Sequence, residues 1–427
     1  MAIFQRLAVR LTADPTRVVV RPFHLSWQAG EGKPTRARQL VDDICEMPEV
    51  MVEESLANVL ADFEPRHWHT RRIFETRFGE LAQQLDIDPD SLSLARRELI
   101  GAYFCHEYSY AAAALMNPSI VPHPDQTGLE RGTVRFIMSL RAVGEGHISS
   151  IAFREGLVSA DGSFYLAPEP PFATAAVLEH DQSAMAEGVV EVSRNSDSNL
   201  SGTVLFPVTP EQANGLEDLR LTRFVEEDGS VEWIGTYTAY SGRDIRSELL
   251  RTTDFQRFVL QPMTGSARVN KGMALFPRRI DGRYHMIGRQ DGKNLFLLVS
   301  DSLGDWDGGQ LLLEPRYPWE FIQIGNCGAP IELDEGWLLL THGVGPMRKY
   351  SIGAALLDKN DPSKVLGRTI EPLLSAADHD REGYVPNVVY TCGALKLGKR
   401  LFVPYGIADS SVAFAFAEIS DILGRMG

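Results

Sequence analysis

The sequence predicts a mainly β protein, a five-bladed β-propeller with an N-terminal α-helical extension, and two features of its texture lead there. Apolar residues recur at helical spacing only between about Pro34 and Ala114. After Asn117 the chain changes to short apolar runs separated by acidic-Gly pairs: Asp161-Gly162, Asp228-Gly229, Asp281-Gly282, Asp291-Gly292 and Glu335-Gly336. Such pairs mark hairpins, because Asp and Gly accept the positive φ that tight turns require. The runs also repeat, each unit opening on an apolar strand, turning at the acidic-Gly pair and returning through an aromatic strand. Openings fall near positions 117, 218, 273, 328 and 387. After a longer first interval they are about 55–60 residues apart, a spacing suited to propeller blades. Two stacked sandwiches would use the same strands and stand as the alternative.

Taken in order, residues 1–112 form the helical segment, with a capping or oligomerisation role, and residues 113–427 form the propeller. Within the first, Val52, Leu56, Val59, Leu60 and Phe63 share one helix face, as do Leu92, Ala95, Leu99, Ala102, Tyr103 and His106. Pro48 suits the first turn of one helix and Pro65 lies past its end. Pro89 precedes another helix, which Asp90 or Ser91 is placed to cap. Three or four helices are expected. His67-Trp68-His69 is not read as a metal site, since residues i and i+2 point to different sides of a helix. In the second segment, runs such as Val134–Leu140, Val231–Tyr237, Trp337–Thr341 and Leu401–Tyr405 read as strands.

Composition narrows the function. Lys and Arg number 42 against 57 Asp and Glu, a net charge of −15, which argues against binding a nucleic-acid backbone. No run nears the ~18 apolar residues of a membrane span. The cysteines Cys45, Cys105, Cys327 and Cys392 are widely spaced, fitting a reduced cytoplasm rather than a disulfide framework. The expected partner is therefore small. In a propeller the first strand of each blade lines a central funnel, so Asn117, Glu217, Asp218, Arg220, Lys271, Asn326 and Asn387 would converge.

These residues also carry a resemblance. Gly215-Leu216-Glu217-Asp218-Leu219-Arg220 resembles the Gly-hydrophobic-Glu-Asp-Pro-Arg motif of glycoside hydrolase family 130, the β-mannoside phosphorylases and mannosidases, with Leu219 in place of the usual Pro. Asn117-Pro118, Ala274-Leu275-Phe276-Pro277, Leu340-Thr341-His342-Gly343-Val344, the segment from Tyr350 to Asp358, Pro386-Asn387-Val388-Val389 and Tyr405-Gly406-Ile407-Ala408-Asp409 are similar to further motifs of that family. The likeness runs from about Leu115 to the C-terminus, and the family's five-bladed propeller agrees with the repeat.

The resemblance implies inverting phosphorolysis of short β-linked manno-oligosaccharides to α-mannose 1-phosphate. Asp218 matches the general acid; burial is expected to raise its pKa so that it carries a proton at neutral pH. Lys271, Arg289, His342 and Tyr350 match phosphate-binding positions, a set able to hold a dianion. Asn117, Arg141, Glu217, Arg220, Asp380, Asn387 and Asp409 match substrate-binding positions. Inorganic phosphate is the co-substrate and no cofactor or metal is expected. Trp233, Tyr237 and Tyr240 are offered as an acceptor-sugar platform or as blade core.

Gly272 after Lys271 and Gln290 after Arg289 depart from the family pattern. They leave open an inverting β-mannosidase in which Asp380, Glu382 or Glu320 activates water across a gap of about 6.5–9.5 Å. A carbohydrate-binding propeller without activity is the third reading.

Overall fold

The computed structural model describes residues 3–25, 34–179, 186 and 188–427. The chain divides into two compact units. One comprises Met1–Pro15, Tyr110–Pro170 and Ala176–Gly427; the other comprises Thr16–Ser109 and Pro171–Ala175.

Among its described residues the smaller unit holds four α-helices: α1 (Arg36–Glu46), α2 (Glu49–Phe63), α3 (Thr70–Leu85) and α4 (Leu94–Tyr103). Thr35 and Ser93 cap α1 and α4 by accepting hydrogen bonds from the backbone N–H groups of Arg38 and Arg96. Ser93 thus takes the capping place expected of Asp90 or Ser91, because a short 3₁₀ turn at Pro89–Ser91 intervenes. The apolar faces meet in one core that includes Val52, Leu56, Leu60, Phe74, Phe78, Leu99 and Phe104. His67 pairs with Glu107, Nε2 to Oε1 at 2.7 Å. A two-stranded ribbon pairs Val18–Pro22 with Cys105–Ser109.

The larger unit is built from antiparallel meanders. The first contains Ala114–Pro122, Thr133–Val143, Ser149–Ser159 and Phe164–Leu166. The second contains Gly215–Val225, Val231–Tyr240, Ile245–Thr252 and Arg257–Pro262. A third joins Ala274–Leu275, Tyr284–Gly288, Leu295–Ser300 and Gln310–Leu313. A fourth is centred on Trp337–Val344 and Tyr350–Leu357, flanked by Gln323–Asn326 and Val365–Arg368. The fifth pairs Val389–Tyr390 with Arg400–Ile407, then Ser411–Glu418. Its outer strand, Gln5–Thr12, comes from the other end of the chain and pairs with Ser411–Glu418. Residues 3–15 therefore belong with the β unit, whereas the sequence joins them to the helical segment.

Turn chemistry explains the hairpins. Asp281 and Gly282 both take positive φ, 50° and 74°, as a two-residue turn of matching twist requires. Asp161 and Asp228 accept from the backbone N–H groups of Ser163 and Ser230. Apolar residues fill the interior, for example Leu216, Leu219, Trp233 and Phe258 in one cluster and Phe276, Ile287, Trp337 and Leu339 in another. Among the described residues no sheet closes on itself, so the five-bladed closure goes beyond what the strand pairing gives.

Candidate active site

Two strand irregularities create the centre of the site. Gly215–Val225 shifts register between Glu217 and Arg220, and Ala114–Pro122 shifts between Met116 and Ser119. Asp218 and Asn117 occupy these bulges with left-handed backbone, φ 53° and 48°. Asn387 (64°) and Asp409 (48°) share that conformation. Such backbone is unfavourable for most side chains and least so for Asn and Asp, and a bulge re-aims the side chain it carries.

Around Asp218 the predicted residues form one polar network. Asn117 donates from Nδ2 to Asp218 Oδ1 at 2.6 Å. Arg141 lies 3.5 Å from the same oxygen and 2.6 Å from Glu217 Oε1. Lys271 Nζ is 3.6 Å from Glu217 Oε2. Arg220 donates to the carbonyl of Asp218 at 3.0 Å and to the hydroxyl of Tyr390 at 2.5 Å.

A second group adjoins the first through Tyr390. Arg289 Nη1 lies 3.1 Å from His342 Nε2, a contact that requires this nitrogen to be unprotonated and to accept. The His342 ring stacks on Tyr350 at 5.8 Å and meets Tyr390 edge-on at 4.8 Å. Gly325 lets Arg289 and His342 meet, since a Cβ there would fall 2.7 Å from Arg289 Nη1 and 2.2 Å from His342 Cε1. A Cβ on Gly272, whose φ is 97°, would lie 3.6 Å from Arg289 Nε.

Electrostatics overturn one expectation. Burial pushes the Asp218 carboxyl up, but Arg141, Arg220 and Lys271, with the Asn117 hydrogen bond, outweigh it and hold the group at about 2. Asp218 is thus a carboxylate at neutral pH, because three cations surround a site where the sequence reading counted only burial. Asp409 moves the other way, pushed up to about 6 by burial and by the charge of Asp218. Burial, then Arg289 and Arg220, push the His342 imidazole well below its ordinary value, so it is neutral. Arg289 is itself pulled down by burial and by Arg220. The Nε atoms of Arg220 and Arg289 are buried with no acceptor among the described residues. Such a cluster of cationic donors is suited to an anion.

Comparison with known proteins assigns the family. The Glyco_hydro_130 model, described as beta-1,4-mannooligosaccharide phosphorylase, matches residues 182–426. The chain belongs to this family. A beta-1,2-mannobiose phosphorylase of Listeria innocua is 34% identical over 230 residues, 52% of this chain and 63% of that enzyme. A beta-1,4-mannooligosaccharide phosphorylase of Ruminococcus albus is 32% identical over 212 residues, 47% of this chain and 62% of that enzyme. The chain thus matches less than two thirds of either enzyme's length. Among solved structures, a glycosyl hydrolase from Bacteroides ovatus superposes with a TM-score of 0.53 at 18% identity, covering 74% of this chain and 86% of that one. A second, from work on family 130 hydrolases that target beta-1,2 mannosidic linkages, gives 0.53 at 18%, covering 74% and 87%. At that identity the likeness concerns the fold.

Against the family pattern, most predicted residues come together and one does not. Asp380 has a fully buried side chain engaged by Arg6 at 2.5 Å and Arg10 at 2.9 Å, so its carboxylate serves an ion-pair cluster rather than an open subsite. Asn387 approaches through its backbone, its carbonyl accepting from the Tyr350 N–H at 3.0 Å. Trp233 and Tyr237 are core residues: the indole donates to the Pro122 carbonyl and the Tyr237 hydroxyl bonds Gln212 and Glu248. The Tyr240 hydroxyl donates to the carbonyl of Gly242 at 3.3 Å. Sequence reasoning missed Tyr390, which touches both clusters, although it stands three residues after Asn387 at a predicted strand opening.

Proposed function

We propose that this chain is an inverting β-mannoside phosphorylase that converts short β-linked manno-oligosaccharides and inorganic phosphate into α-mannose 1-phosphate, and that its five meanders are the blades of a propeller. The observation that carries this reading is the polar network at Asp218 lying beside cationic side chains whose buried Nε donors, those of Arg220 and Arg289, have no acceptor among the described residues. Asp218 delivers the proton to the departing glycosidic oxygen; Asn117, Arg141, Glu217 and Asp409 hold the mannose. Lys271, Arg289, His342 and Tyr350 receive phosphate, which attacks the anomeric carbon from the opposite face. The dianion offsets the field of Arg220, Arg289 and Lys271, and this raises the affinity of Asp218 for the proton it must carry.

The carboxylates available to activate water favour phosphorolysis over hydrolysis. Glu320 is buried and tied to Arg368 at 2.6 Å, Asp380 is bound by two arginines, and Glu382 is exposed. The names of the relatives, which cover both β-1,2 and β-1,4 linkages, support the substrate class. No helix among the described residues is long and apolar enough to cross a membrane; a cytoplasmic enzyme needing no cofactor besides its phosphate co-substrate is part of the proposal.

Incubating the full chain with β-1,2- and β-1,4-mannobiose, with and without inorganic phosphate, tests it. Phosphate-dependent formation of α-mannose 1-phosphate is the expected outcome. Mannose release at equal rate without phosphate overturns it in favour of a hydrolase, and no turnover of either disaccharide in favour of a binding module.

A further inference from the structure

The N-terminal strand reaches the candidate site through one buried carboxylate. Arg6 and Arg10 project from Gln5–Thr12 to opposite oxygens of Asp380, and Arg6 Nη2 also donates to the carbonyl of Ser375 at 3.1 Å. The Asp380 side chain has no exposed surface, whereas those of Arg6 and Arg10 are 30% and 41% exposed. A carboxylate so enclosed is tolerated only when paired, and removing two cationic partners weakens that compensation.

The loop containing Asp380 leaves and rejoins the structure beside Tyr350. At its start Ser375 pairs with Ser351, their hydroxyls 2.8 Å apart. At its end the Asn387 carbonyl accepts from the Tyr350 N–H. In between, the Val385 N–H donates to the Ala408 carbonyl, and the Ala408 N–H donates to the Val388 carbonyl. These bonds stitch the loop to the turn carrying Asp409. Residues 376–387 are thus tied at one end to Ser351, the neighbour of Tyr350, and at the other to Tyr350 itself, and are held in the middle by two arginines from the opposite end of the chain.

We propose that Arg6 and Arg10 are positioning residues for this site, acting through Asp380 to hold the 376–387 loop against Tyr350 and the Asp409 turn. The kinetic consequence rests on the phosphorylase reading; the positioning itself does not. An Arg6→Gln/Arg10→Gln double variant of the full chain is compared with wild type and with the milder Arg10→Gln, which keeps the Arg6 pair. In the double variant KM for the mannoside is expected to rise about tenfold with kcat within about threefold, and Arg10→Gln to move KM in the same direction by less. Amide hydrogen exchange is expected to accelerate across 376–387 and to stay unchanged in Trp337–Val344 and Arg400–Ile407.

A wild-type KM, or exchange that accelerates uniformly through the sheets, overturns the proposal and leaves the ion pairs a general role in stability. Should the wild type show no phosphate-dependent turnover, the phosphorylase reading fails, and the exchange pattern alone decides the positioning.

Discussion

Asn117 and Asp218 are 101 residues apart in sequence, yet their side chains meet at 2.6 Å, each from a left-handed residue in a strand bulge. The same local device thus occurs in two neighbouring meanders and aims two polar groups at one point. A regular strand would have put alternate side chains on opposite faces and kept the amide and carboxylate from converging.

Replacing Asp218 with Asn tests the acid. Asn tolerates the left-handed backbone, so the fold is retained and the proton donor is lost. The expected result is a fall in kcat of about 10²–10⁴-fold in a folded protein whose melting temperature at neutral pH is lowered, because the carboxylate facing Arg141, Arg220 and Lys271 is lost. Activity within a few-fold of wild type removes Asp218 from the role.

Phosphate is expected to change the pH dependence of the reaction. Without it, three cations keep Asp218 near 2, ionised over the working range. A bound dianion cancels part of that field, so the pKa of the acid rises and the protonated fraction at a given pH grows. The basic limb of the pH–rate profile therefore moves to higher pH at saturating phosphate than at low phosphate. Profiles with the same midpoint at both concentrations contradict the coupling.

Asp409 makes a prediction of opposite sign for stability. Its pKa in the fold, about 6, exceeds its ordinary 3.8. Its contribution is most favourable below pH 3.8 and is lost as pH rises through 6, because the ionised form is then buried beside Asp218. Asp409→Asn removes that penalty, on the order of 3 kcal/mol at pH 8. Thermal melts are expected to show a stabilised variant at pH 8 and a much smaller difference at pH 4, alongside weaker binding of the mannoside.

Local pattern made much of this architecture legible. The helices follow from apolar spacing around Val52 and Leu99, and the hairpins from Asp281-Gly282 and its counterparts, because each is decided within a few residues. Family motifs brought Asp218, Lys271, Arg289 and His342 into view. What stayed hidden depends on pairings across the chain. Arg6 and Arg10 reach Asp380 over some 370 positions, and Leu7, Val9 and Leu11 alternate as a strand that only Ser411–Glu418 completes. The protonation state of Asp218 was hidden for the same reason: burial is suggested by its apolar neighbours, whereas Arg141 and Lys271 arrive from other meanders.

The last prediction concerns a residue with no side chain. Gly325 has no positive φ, so alanine meets no backbone strain there, and only space is at issue. Its Cβ would lie 2.2 Å from His342 Cε1 and 2.7 Å from Arg289 Nη1, inside van der Waals contact with both. Both side chains are buried, so each must move away from the other to make room. Separating them breaks the 3.1 Å contact and displaces the donors assigned to phosphate. Gly325→Ala is therefore expected to raise KM for phosphate by about tenfold or more, with a smaller effect on KM for the mannoside. Gly272→Ala supplies the contrast, because its Cβ would sit at an ordinary 3.6 Å from Arg289 while the backbone holds φ 97°. That variant is expected to lose about 1 kcal/mol or more of stability with a smaller change in KM for phosphate. Equal phosphate KM values for wild type and Gly325→Ala would mean that Arg289 and His342 do not bind the anion as a pair.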